Sequence, residues 1–163
     1  MKTKRILALA MLLCLFLTSC RKEDPWLEVT TGNATVSYNQ TSENGVTVTT
    51  GEVTFKSTYE WKGDIDQPLP KAFCGEYYGK TSNLSADNNL GSIDLGELNG
   101  IALDRSFKRT FRIVNVNLKD GDIFHEFAPG DTMYYRAYAK VINGVNDTSY
   151  IYGEEKFTVM AGE

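Results

Sequence analysis

Across residues 52–62 the side chains alternate without a break. Val53, Phe55, Ser57, Tyr59 and Trp61 fall on one face, and Glu52, Thr54, Lys56, Thr58, Glu60 and Lys62 fall on the other. Successive side chains of a strand point to opposite sides, so a period of two with one apolar set specifies a half-buried strand. The pattern returns at 132–142, where Met133, Tyr135, Ala137, Ala139 and Val141 alternate with Tyr134, Arg136, Tyr138 and Lys140. Shorter copies occur at Val36 and Tyr38 and at Val46 and Val48, separated by Asn44-Gly45, a strong hairpin signal. The apolar parity flips at Gly51, which predicts a bulge or tight turn there. Further strands are expected at 71–78, at 107–117 with Phe111 and Ile113 on one face, and at 149–160. Ile93 and Leu95 suggest one short strand within the polar stretch 79–100. Turn-rich segments at 63–70, 128–131 and 143–147 divide them. No segment after residue 25 sustains a helical period. About seven strands with frequent turns predict an all-β chain, an antiparallel β-sandwich over residues 31–163.

The N-terminus is of another kind. Lys2, Lys4 and Arg5 precede an apolar run at 6–17, which is followed at once by Arg21-Lys22-Glu23-Asp24-Pro25. Twelve residues are too few to span a bilayer core of ~30 Å, which takes roughly 20. A basic start, a short apolar run and small residues at its end describe a secretory signal peptide over 1–19. The residues from 20 to 30 then read as a solvated tether.

Leu17-Thr18-Ser19-Cys20 resembles the bacterial lipobox, whose cysteine becomes the first residue after cleavage and carries the lipid. The resemblance implies lipidation at Cys20 and a membrane partner through that anchor; several acyl chains on one residue hold firmly where one is marginal. Lys22, Glu23 and Asp24 resemble the export tag of Bacteroidetes-type surface lipoproteins. That implies an outer-membrane location facing the extracellular side.

Charge and cysteine content narrow the function. Of 17 basic residues, Lys2, Lys4 and Arg5 lie in the leader, which has no acids, so 14 bases face 21 acids in the remainder. An excess of acid speaks against a nucleic-acid partner. With Cys14 removed in the leader and Cys20 lipidated, Cys74 is left alone and reads as a buried filler rather than a disulfide half or a nucleophile. The sole histidine, His125, has no recognisable catalytic context. The acids Asp120, Asp122 and Glu126, like Asp64 and Asp66, lack the spacing of a calcium loop. No cofactor or metal is expected, and no enzyme.

Three later blocks carry a second resemblance: 73–78 (FCGEYY), 129–139 (PGDTMYYRAYA) and 152–159 (YGEEKFTV). In this order they are similar to the strands of a fibronectin type III-like, immunoglobulin-like module common in Bacteroidetes surface proteins. Aligning Arg136-Ala137-Tyr138-Ala139 places Met133 where the family has an inward tyrosine whose hydroxyl ties the turn. Either that tie is absent here or the register shifts by one, and Tyr134 would point outward.

Candidate ligand residues follow from exposed aromatics. Tyr59 and Trp61 end the clearest strand beside Asp64 and Asp66. Tyr77 and Tyr78, with Tyr134 and Tyr138, could form an aromatic patch, against the commoner reading of core and cross-strand pairs. Asp131-Thr132-Met133 resembles a short O-glycosylation motif. The expected role is a lipid-anchored, non-catalytic surface module that binds a glycan or protein partner or spaces another module. The alternative is an assembly or structural subunit of a surface fibre or uptake complex. The first should show an exposed aromatic patch with polar neighbours, the second an unpaired apolar sheet edge.

Overall fold

The computed structural model describes residues 25–43, 46–113, 127–128 and 130–161. These residues hold nine strands and no helix. In chain order they are β1 (Trp26–Thr31), β2 (Thr35–Glu43), β3 (Val46–Lys62), β4 (Lys71–Gly79), β5 (Gly91–Glu97), β6 (Ala102–Ile113), β7 (Thr132–Gly144), β8 (Asp147–Tyr152) and β9 (Lys156–Val159). All pairings are antiparallel and fall into two sheets. A four-stranded sheet is built on β3 and a five-stranded one on β7. The two stack on shared apolar residues as a β-sandwich.

Nine strands occupy seven lanes. β6 takes one edge of β3, and β1 and β2 follow one another along the other edge, opposite 57–62 and 46–54. β4 takes one edge of β7, and β9 and β8 share the other. Each shared lane has a break, at Gly32 to Ala34 and at Gly153 to Glu155, and the breaks meet. Ala137 N donates to Thr31 Oγ1 (3.0 Å), and Gly153 N donates to Ala137 O (2.9 Å). A Cβ on Gly153 would collide with the hydroxyl and backbone N of Thr31, so only glycine lets the two sheets approach here.

Four expectations need correction. Residues 26–31 are not tether: Leu27 and Thr31 are buried and pair with Trp61 and Ser57, so the sandwich begins at Trp26. Gly51 carries no bulge, because β3 pairs through it in continuous register with both Tyr38 and Phe111. The closing segment is two strands, split at Gly153. β6 starts at Ala102, not at 107, because β3 continues to Lys62 and offers Glu60 and Tyr59 as partners.

The inward parity at 53–61 and 133–141 is as the alternation dictates. It produces two apolar lobes. One gathers Leu27, Tyr59, Trp61, Ala72, Cys74, Leu98 and Val141; the other gathers Val53, Phe55, Tyr78, Phe111, Phe127, Met133, Tyr135 and Met160. Between the lobes lie the buried polar residues Thr31, Ser57 and Glu76. Ser57 Oγ donates to Glu76 Oε2 (2.6 Å), while Oε1 has no hydrogen-bond partner among the described residues. Burial favours the neutral acid and pushes the Glu76 carboxyl up to about 8; the Ser57 bond offsets this only in part. Cys74 is buried as expected, and burial pushes its thiol up to about 12.

Met133 is fully buried and Tyr134 points outward. The inward tyrosine here is Tyr135, and its hydroxyl accepts from Ala34 N (2.9 Å) in the β1–β2 break. The turn before β7 is closed by Asp131, whose carboxylate accepts from Ala128 N (2.8 Å) and pairs with Lys80 (3.0 Å). Both bonds hold the Asp131 carboxyl below the usual carboxylate range.

Candidate functional site

The outward parity of β4, β7 and β8 assembles a tyrosine face. Tyr77 lies opposite Arg136 and Gly75 opposite Tyr138 across the β4–β7 ladder. Tyr152 lies opposite Tyr138, and Tyr150 opposite Lys140, across the β7–β8 ladder. The turn at 143–147 that makes this hairpin is held by Asn146 at φ 68, a conformation asparagine tolerates better than most residues. Tyr77, Tyr138, Tyr150 and Tyr152 therefore share one side of the sheet.

Their rings form a connected layer. Tyr77 and Tyr138 stack at 4.0 Å with planes 12° apart. Tyr150 and Tyr152, two residues apart on one strand, are nearly parallel at 10°, with centroids 6.2 Å apart. Tyr138 lies 6.3 Å from Tyr150, and Tyr77 lies 6.5 Å from Tyr152. Gly75 is what lets Tyr138 lie down: a Cβ there would run into its ring and hydroxyl. Tyr77 is the buried floor of this stack, and Tyr150 its most open ring at 39% exposure.

Polar groups rim the layer. Arg136 Nε donates to Gly153 O (2.8 Å) and its Nη1 to Leu84 O (3.2 Å), and its guanidinium sits 4.7 Å from the Tyr152 ring centre. Glu155 accepts from the backbone N–H groups of Asn83 (3.0 Å) and Leu84 (2.7 Å), which pins the β4–β5 loop beside the tyrosines. Burial raises the phenol of Tyr77, helped by Tyr138, Tyr150, Tyr152 and Asp87. Burial also raises the phenol of Tyr138, helped by Asp94 and Tyr150. Both phenols are thus neutral hydrogen-bonding groups at ordinary pH.

The structure separates the sequence candidates. Tyr59, Trp61 and Tyr78 are core residues, 0, 4 and 2% exposed, and are corrected from ligand candidates to packing. Their parity turns them inward, where Tyr59 O–H donates to Gly75 O (2.8 Å) and Tyr78 meets Phe111 edge-to-face at 5.2 Å. Asp64 and Asp66 therefore border no exposed Trp61 platform. Tyr77 and Tyr138 do come together on the outer face. Tyr134 is also outward, but it pairs with Phe157 (6.1 Å) farther along the sheet. Tyr150 and Tyr152 were missed; the alternation Tyr150-Ile151-Tyr152 after a turn was the available signal. Cys20, Lys22, Glu23 and Asp24 lie outside the described residues, as do His125, Asp120, Asp122 and Glu126. No protein-family model, curated protein or solved structure matches the chain.

Proposed function

We propose that this chain is a non-catalytic binding module, held at the outer membrane by lipid on Cys20 and exported to the cell surface through Lys22, Glu23 and Asp24. Its contact surface is the tyrosine face, and its partner is a glycan or a protein. The observation that carries the reading is the connected cluster of half-buried Tyr138 and Tyr152 and exposed Tyr150 over Tyr77. Single cross-strand ring pairs stabilise a sheet, whereas four rings gathered within a polar rim and open at Tyr150 suit an interaction surface. The LTSC motif and the two-sheet core fit a fibronectin type III-like module on a short tether.

Two experiments test this. Cys20→Ala is expected to move the protein from the membrane to the soluble fraction, and continued membrane retention overturns the anchor. Replacing Lys22, Glu23 and Asp24 with alanine is expected to abolish protease accessibility on whole cells, and unchanged accessibility removes the tag's role.

One observation favours the alternative of an assembly subunit. β9 is a four-residue edge strand with Phe157 and Val159 outward at 65 and 53% exposure. An apolar edge of that kind can accept another strand. Val159→Lys would then abolish self-association in sedimentation velocity; a monomeric parent chain rules the reading out as self-assembly.

A further inference from the structure

The tyrosine face also points to the class of ligand, an inference that rests on the binding reading above. We infer that Tyr138, Tyr150 and Tyr152 form a platform for a neutral oligosaccharide, whose sugar rings stack on the phenol planes while their hydroxyls reach the polar rim.

The first argument is shape. A pyranose has an apolar C–H face and hydroxyls pointing outward near its own plane. It is matched by a flat aromatic plate with hydrogen-bonding groups at the sides. Tyr150 and Tyr152 supply two plates along one strand, 10° apart in tilt and 6.2 Å apart. They offer successive flat stations, which suits a chain of rings. A protein partner's anchor residue takes its energy from a closed, desolvated pocket, and these rings instead form a shallow sheet surface, half-buried at Tyr138 and Tyr152 and exposed at Tyr150.

The second argument is charge. Asp94 lies near Tyr138 and Asp87 near Tyr77. Against them stand Arg136, held on Tyr152, and Lys140, opposite Tyr150. With Glu155 of the rim, three acids and two bases leave the face nearly balanced in charge. A polyanionic glycan or a strongly charged peptide finds no complementary field here. A neutral sugar needs none, and carboxylates and cations alike hydrogen-bond to its hydroxyls.

The third is preorganisation. Tyr138 is seated on Gly75 and stacked on Tyr77, and Tyr152 is clamped by Arg136, itself fixed by two carbonyls. Little side-chain entropy remains to be lost when a ligand arrives.

The test is calorimetric titration of the full-length chain in detergent with neutral α- and β-linked hexaglucosides, hexamannosides and hexaxylosides, and with heparin as polyanion. At least one neutral hexasaccharide is expected to bind saturably. Tyr150→Ala and Tyr152→Ala should each weaken it roughly tenfold or more, with circular dichroism unchanged. Tyr150→Phe, which keeps the plate, should retain most of the affinity and so separates stacking from misfolding. No neutral hexasaccharide bound, binding indifferent to both alanine variants, or binding of heparin alone overturns the inference. A photo-crosslinking residue at position 150 on whole cells then divides the outcomes. A crosslinked protein without sugar binding sinks the ligand class and leaves the binding module standing. No sugar binding and no crosslink sinks both.

Discussion

The two sheets present opposite faces to solvent. On the four-stranded sheet the outward residues are mostly charged or small and polar, with Trp26 a single half-exposed aromatic among the described residues: Lys62 pairs with Glu60 (2.6 Å) and Glu28 (3.6 Å), and Lys108 with Glu52 (2.7 Å). On the five-stranded sheet the outward residues include Phe73, Tyr77, Tyr134, Tyr138, Tyr150, Tyr152 and Phe157. Exposed ion pairs contribute little to stability, roughly 0–1 kcal/mol each, but keep a sheet soluble and unpartnered. The rings of the aromatic face gain the modest stabilisation of cross-strand pairs, roughly 0.2–1 kcal/mol each. Both sheets bury their inner faces equally well, so the contrast is about what each surface meets and not about what holds the fold.

That comparison can be broken or sharpened by measurement. The largest effect comes from the polar layer that joins the sheets. Unfolded, the Glu76 carboxyl titrates near its ordinary 4.5, and folded near 8. Between those values the unfolded chain has released a proton that the native state keeps. Stability therefore falls as pH rises across the window, in total on the order of 5 kcal/mol, and no further above it. Urea unfolding from pH 4.5 to 8.5 should show this slope, and Glu76→Gln should flatten it. A flat wild-type curve would mean that water or another group satisfies Glu76. Next is Phe55→Ala in the shared core, expected to cost about 3–5 kcal/mol by the cavity it opens. Gly153→Ala should cost about 1–3 kcal/mol, because Thr31 at the end of β1 must retreat from the added Cβ. The smallest effects decide the contrast itself. Tyr150→Ala and Glu52→Ala should each shift unfolding free energy by about 1 kcal/mol or less. Were Tyr150→Ala to approach the cost of Phe55→Ala, the aromatic face would be structural and the comparison would fail.

Much of the fold was legible because alternation is local. The parity at 53–61 and 133–141 told which side of each strand is buried, and it already turned Tyr59 and Trp61 inward against their reading as ligands. β1 was hidden because six residues with Leu27, Val29 and Thr31 inward follow directly on a charged, Pro-containing tether. The parity flip at Gly51 misled, since β2 and β6 hold β3 straight from either side and override a local irregularity. Glu76 stood at an inward position of a recognisable strand, but its partner Ser57 comes from β3, in the opposite sheet. The tyrosine face is a product of ladders between β4, β7 and β8. Period counting places each ring on a side of its own strand; it cannot say which strands become neighbours.

The contact between Thr31 and β7 has a mechanical consequence. Were the module anchored at its first residues and bound at the tyrosine face, as proposed above, load would run between those two points. β1 enters the sandwich at Trp26, and its last residue is fastened to Ala137 through the Thr31 hydroxyl, beside Gly153. Ala137 neighbours Arg136 and Tyr138 of the tyrosine face. On that proposal, tension would pass along β1, a strand of the four-stranded sheet, into the five-stranded sheet through the bond from Ala137 N to the Thr31 hydroxyl. Along β1 it acts parallel to the strand, so the ladder to β3 resists in shear, with its bonds strained together instead of opening one at a time.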